Sequence, residues 1–311
     1  MRHATSIRLI VIFLALAFGL SWLIALPLWF GDGLASPYFA VVAVSMMTTP
    51  AIAALIVVFF VERAESKASL LGLWPTRPVG RYIGFLAIGL VLPVALILVA
   101  LPIGALLGVY PADFVGLSGF REIIGPDIGV PIETLVAAQF INVVVGAVIN
   151  LIPALGEELG WRGWLLPKLL PFGTVRALII SGVVWGLWHA PLVLLGYNYL
   201  GAPGWLALAA MIAMCTLIGA IFGWLRVRSG SVWPAALAHG SFNAAAGFSF
   251  VFAAAGESID TTQATILGWS GWIVPLIVVL VLVVTRQFSS PPLAPPKTPA
   301  LTFEPPETPA A

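Results

Sequence analysis

Charge is scarce in this sequence. Lys, Arg, Asp and Glu together make up 9% of the residues, against about 25% in an ordinary soluble domain. Histidine occurs three times and cysteine once. A single cysteine, Cys215, excludes a disulfide framework and a cysteine-based metal site. It lies in an apolar run, where a thiol is expected to act as a small buried hydrophobe. No GxSxG motif occurs, and Cys215 has no base near it in sequence, so a Ser or Cys nucleophile is not indicated.

What fills the space is apolar: 60% of the chain is hydrophobic. Residues 9–31, 33–61, 82–112, 134–156, 177–225, 229–256 and 261–285 contain no Asp, Glu, Lys or Arg. Each is long enough for the roughly 20 apolar residues that cross a bilayer as a helix. The run 177–225 holds two such helices and breaks at "GYNYLGAPG", where glycine, asparagine and proline signal a turn. The expected fold is all-α, a polytopic membrane bundle of about eight transmembrane helices. The spans fall near 9–30, 37–61, 82–109, 134–156 or beyond, 177–195, 205–225, 232–252 and 265–285.

The few charges are distributed by sign. With the N-terminus inside, all of the 14 Lys and Arg residues except Arg121 fall on the inner side. Asp32, Asp113, Glu122, Asp127, Glu133, Glu257 and Asp260 fall outside. Lys/Arg enrichment in cytoplasmic loops sets topology, so both termini are expected in the cytoplasm, with the plasma membrane as location. The first apolar run exceeds the 7–15 residues of a cleaved signal and reads as a retained helix. Residues 1–286 then form one membrane domain. The proline-rich stretch 287–311 reads as a disordered cytoplasmic tail. The loop 110–133 has room for a short interfacial helix. Expected partners are the lipid bilayer and a peptide or membrane-protein substrate, with no nucleic acid.

Ionisable residues in lipid are costly and tend to be functional. They cluster as Glu157, Glu158 and Arg162, then His189, then His239 with Asn243. Glu158 and Arg162 are four apart on a helix and can pair. Glu157 is rotated by about 100° and is left free. Trp185 and His189, and His239 and Asn243, share the same spacing. At about 1.5 Å per residue, the three groups converge at one level in the cytoplasmic half of the bilayer, provided the fourth helix continues past Gly156 toward Pro167. A break at Pro153 and Gly156 would instead leave the glutamates at the surface. A glutamate and two histidines can activate water directly or by holding a metal. An asparagine amide and an imidazole can donate to a developing oxyanion. Taken singly, each group also reads as an interhelical staple or packing contact.

At these residues the chain resembles the CPBP family of intramembrane proteases, the CAAX-protease and bacteriocin-processing group. Its EExxxR motif matches "GEELGWRGWLLP" (Glu157, Glu158, Arg162). Its FxxxH motif aligns with "VVWGLWHAP" (His189), with Trp185 in place of the usual phenylalanine. Its HxxxN motif matches "SVWPAALAHGSFNA" (His239, Asn243). The resemblance covers about residues 140–250. It implies an eight-helix bundle with a polar cavity open to the cytoplasm. In it Glu157 and His189 activate water, His239 and Asn243 stabilise the oxyanion, and Glu158 and Arg162 support the site. Glu157, His189 and His239 meet the ligand count of a catalytic zinc, but they lie on three helices without HExxH spacing. Metal-free water activation is favoured over zinc.

The implied function is an intramembrane endopeptidase acting on peptide or membrane-associated substrates, CAAX-type prenylated proteins among them. The competing reading is a non-catalytic membrane protein that binds a peptide, as in bacteriocin immunity or scaffolding. A transporter would use the glutamates as a proton relay, but no internal repeat is evident.

Overall fold

The structure, a computed structural model, describes residues 2–62, 65–74, 76, 78–125 and 129–288, with side chains from residue 7 onward. The expected tail lies at 287–311, almost wholly outside the described residues. Eight principal helices follow one another: α1 (Arg2–Trp29), α2 (Phe39–Ile56), α3 (Val79–Leu106), α4 (Ile132–Glu158), α5 (Thr174–Trp188), α6 (Gly204–Ser229), α7 (Trp233–Ala245) and α8 (Ile273–Val284). Among the described residues the only strand-like feature is a single bridge, Ala112 with Ala253. The expected helix in the loop 110–133 is Ser118–Ile124.

Among the described residues, five segments are long and apolar enough to cross a bilayer: Ile7–Trp29, Phe39–Val61, Val79–Leu106, Ile132–Phe172 and Gly204–Ser229. α5 and α8 are apolar but shorter, and α7 has 13 residues. The chain is a multi-pass helical membrane bundle. Large side chains such as Val41, Phe60, Ile149 and Ile152 stand exposed on its outside, as lipid-facing residues must.

Three spans are less regular than the apolar runs suggest. The run 177–195 breaks at His189, because Pro191 lacks the N–H that would continue the ladder; a short turn, Ala190–Val193, follows. The run 232–252 divides into α7 and a turn at Phe248–Val251. The run 265–285 becomes helical only at Ile273. Before it, Asp260 accepts from the backbone and hydroxyl of Thr262 and from Gln263, holding the chain in turns.

α4 does continue past Gly156. It runs to Glu158, passes into wide π-type turns over Leu159–Leu165, and resumes as Leu166–Leu169. Gly156 and Gly160 explain the course. A methyl group on Gly156 would stand 2.7 Å from the Met47 carbonyl, and one on Gly160 2.4 Å from Pro50 Cβ. These two glycines, four apart, let α4 and its extension lie directly on α2. Helices in lipid gain little from hydrophobicity and associate through such close contact of small residues. α5 does the same against α6: a Cβ at Gly182 or Gly186 would lie 2.5 Å from the Cα of Thr216 or Ile212. α7 packs chiefly on α4 and α3. These contacts bring α4, α5, α6 and α7 around one point.

Candidate active site

Arg162 sits at the centre of that point, 1% exposed, and Glu158 beside it is 0% exposed. Arg162 Nη1 donates to Glu158 Oε1 at 2.8 Å. His239 Nδ1, reaching from α7, lies 3.0 Å from the same oxygen. The guanidinium lies against the faces of Trp185 and Phe222, 4.3 and 5.5 Å from the ring centres. Breaking such a buried pair by removing one partner costs several kcal/mol, because the other charge is stranded. The wide turn that places Arg162 is itself held: Arg226 Nε donates to the Arg162 carbonyl at 3.1 Å.

Glu157 faces elsewhere. Its Oε2 accepts from the indole Nε1 of Trp185 at 2.7 Å. It lines a cavity of about 350 Å³ together with Trp185, His189, His239 and Asn243. Glu158 and Arg162 do not reach the cavity wall. The residues sharing one sequence motif are thus divided between an ion-paired support and a cavity-facing carboxylate.

The two histidines differ in what holds them. His189 Nδ1 lies 2.8 Å from the carbonyl of Trp185. A carbonyl only accepts, so Nδ1 carries the proton and Nε2 is the basic nitrogen. His239 has a carboxylate behind it, so a protonated ring there keeps its compensating charge in Glu158 and can donate from Nε2. Its ring stacks on Phe222 at 5.7 Å and meets Trp185 edge-on at 5.3 Å. Asn243 is exposed to the cavity one turn beyond.

All six residues singled out in the sequence therefore meet in one place. Their zinc-binding potential is a different matter. Zinc needs three or four donors within about 2.0–2.3 Å of one point. Among the described residues no three His, Cys, Asp or Glu side chains gather in this way. Glu157, His189 and His239 share a cavity without converging, and their near polar neighbours are Trp185 and Glu158. This donor set does not fit a zinc ion.

Cys215 is fully buried, 3.9 Å from His189 Nδ1 and 3.6 Å from Met211 Sδ. It packs as the sequence suggests. Sequence reasoning overlooked Asn150, Ser249 and Thr265, which also line the cavity. Asn150 is seven residues before Glu157 and so lies on the same helical face, a signal that was present in the sequence.

The extension from Leu159 to Phe172 adds roughly 20 Å of chain at about 1.5 Å per residue between Glu157 and the following connection. His189 closes α5 at the end away from its basic start, Arg176. Cavity walls come from Ala40, Asn198 and Thr265, beside the acidic connections.

Comparison with known proteins bears on the same segment. Residues 139–245 match the family model described as "Type II CAAX prenyl endopeptidase Rce1-like". A stretch of 50 residues is 40% identical to the "CAAX prenyl protease 2" of Methanococcus maripaludis strain S2. That stretch covers 16% of this chain and 18% of the relative, so the match spans under a fifth of the relative's length. Residues 139–245, which carry the site, are thus similar to the Rce1-like type II CAAX prenyl endopeptidases.

Proposed function

We propose that this protein is an intramembrane endopeptidase in which Glu157 and His189 activate water for attack on a peptide carbonyl. The observation that carries the reading is the division of the glutamate pair. Glu157 faces a cavity shared with His189, His239 and Asn243, while Glu158 is bound to Arg162 and His239 behind it.

In this reading a water between Glu157 and His189 Nε2 loses its proton as it attacks, and the two groups act as general base. Charge builds on the carbonyl oxygen. His239 Nε2–H and the Asn243 amide donate to it, and Glu158 balances the imidazolium. The proton taken from water passes to the leaving amine, so both products leave neutral at the cleaved bond. Arg162 and Glu158 do not meet the substrate; they hold His239 and the wide turn. The buried, low-water setting strengthens each of these electrostatic contacts. The membrane domain spans residues 1–286 in this account. The relative's name points to prenylated CAAX proteins as one class to test.

The test uses full-length protein in lipid nanodiscs with a panel of quenched peptides, prenylated and unprenylated. Wild type is expected to cleave at least one. Glu157→Gln and His239→Ala are expected to lose at least about 100-fold in kcat/KM, the scale of a lost general base or oxyanion donor. Equal cleavage by wild type and both variants would defeat the proposal. Binding of peptides without turnover would favour the non-catalytic alternative.

A further inference from the structure

The cavity is longer than the water-activating groups need. Three helices supply walls over the same length. At one level Gly156 of α4 lies against the Met47 carbonyl of α2, and Glu158 meets His239 of α7. From that level the walls continue along α2 from Met47 to Ala40, along α4 from Glu157 to Asn150, and along α7 from His239 to Ala246. The close contacts of Gly160 with Pro50 and of Gly146 with Ala244 keep the three in step: α2 runs with α4, and α7 against it. In each helix the wall covers about 10 Å at roughly 1.5 Å per residue.

Asn150 closes the α4 wall on the face that carries Glu157, because two turns return a helix to within about 20° of the same direction. Its Nδ2 donates to the Gly146 carbonyl at 2.9 Å. A carbonyl only accepts, so this bond fixes which end of the amide is nitrogen. Among the described residues the side chain makes no other hydrogen bond. One N–H and Oδ1 therefore remain on a side chain that lines the cavity. Ser249 and Thr265, also on the wall, use their hydroxyls locally: Ser249 Oγ donates to the Ala246 carbonyl at 2.8 Å, and Thr265 Oγ1 accepts from Leu267 N at 3.3 Å. An asparagine that acts as glue in lipid bonds across to another helix. Asn150 bonds within its own, although α7 touches it there: a Cβ at Gly240 would lie 3.1 Å from the Asn150 carbonyl carbon. Helix association does not account for this amide.

We infer that Asn150 is a substrate-binding residue whose free N–H and Oδ1 hold the backbone of an extended peptide at a fixed distance from the bond cleaved beside Glu157. The inference rests on the endopeptidase reading for the chemistry and adds where the neighbouring stretch of substrate lies. An extended chain advances about 3.3 Å per residue, so the wall from Glu157 to Asn150 spans about three residues of substrate. In such a chain the N–H and C=O of one residue point the same way, toward one donor and one acceptor. Recognition through the backbone leaves the substrate side chains free to vary. Met46, Met47, Met211 and Met214 supply flexible apolar walls that adapt to them.

A cycle between protein and peptide tests the contact, with full-length protein in lipid nanodiscs. Each backbone nitrogen near the cleaved bond of a quenched peptide is methylated in turn, which removes one N–H at a time. Turnover is measured on wild type and Asn150→Ala, and binding of the same peptides on Glu157→Gln with and without Asn150→Ala. Asn150→Ala is expected to raise KM, and Kd in the Glu157→Gln background, by about 10-fold, the scale of one or two lost hydrogen bonds. Its kcat should stay within about twofold, since the interaction serves ground and transition state alike. Tm should hold, because alanine suits a helix interior. Methylation about three residues from the cleaved bond should weaken wild type by a similar factor and cost nothing further in Asn150→Ala. Unchanged KM and Kd in Asn150→Ala, or methylation costs equal in both proteins at every position, would overturn the inference. A lowered kcat with unaltered KM would overturn it too. Coupled loss of binding without turnover by wild type would defeat the endopeptidase reading and leave the backbone contact standing. No binding of any peptide would overturn both.

Discussion

The indole N–H of Trp185 donates to Glu157 Oε2 at 2.7 Å, and the carbonyl of the same residue holds His189 Nδ1 at 2.8 Å. One residue thus fixes both groups assigned to water activation. A phenylalanine, the residue expected here from the motif, would keep the carbonyl contact and lose the indole bond. Hydrogen bonds to charged groups contribute about 1.5–3 kcal/mol, so Trp185→Phe is expected to lower kcat by roughly 10–100-fold. KM should change little. Steady-state kinetics on a quenched peptide reads the split; a raised KM with unchanged kcat would make Trp185 a wall residue only.

Arg162 and Glu157 should fail in opposite ways. Arg162→Met leaves Glu158 buried without its cation and is expected to cost about 3–5 kcal/mol, seen as a large drop in Tm in detergent. Glu157→Gln keeps an acceptor for Trp185 and should leave Tm near wild type while activity disappears. The double variant Glu158→Gln, Arg162→Met should recover part of the stability lost in Arg162→Met, because no uncompensated charge remains.

The glycine contacts predict where a single methyl group is not tolerated. Gly160→Ala and Gly182→Ala push α4 off α2 and α5 off α6, at about 1–3 kcal/mol each, the usual cost of overpacking. Gly84→Ala in α3 meets nothing within 4 Å and should be neutral. Thermal unfolding of the three variants side by side checks the contrast.

Glu62 pairs with Lys168 and accepts from Trp164 Nε1 at 3.3 Å, clasping the ends of α2 and the α4 extension. Both charged side chains are partly exposed, at 19% and 21%. Such pairs contribute under about 1 kcal/mol and weaken with salt. Glu62→Gln should therefore lower Tm slightly at low ionic strength and scarcely at all in 1 M salt. Cleavage should persist.

How much of this was written in the sequence varies by feature. The six polar residues stand out because charge in an apolar chain has a cost, and their spacing separates Glu158 from Glu157. The continuation of α4 was also one of two readings open from the "GWLLPKLLP" that follows. The link from His239 to Glu158, 81 positions apart, depends on how α7 crosses α4 and has no local signal. Gly156 and Gly160 are visible as letters, but their meaning needs the backbone of α2 on the other side. The early ends of α5 and α7 were obscured because apolar composition continues through the breaks at Pro191 and Gly247.

The most direct measurement of the central claim is a turnover assay of wild type, Glu157→Gln and Glu158→Gln in nanodiscs, with folded fraction checked by size-exclusion and Tm. The account predicts that Glu157→Gln is folded and inactive, while Glu158→Gln is less stable and retains measurable cleavage in its folded fraction. The reverse pattern, a folded and inactive Glu158→Gln beside an active Glu157→Gln, would contradict the division of roles on which the mechanism rests.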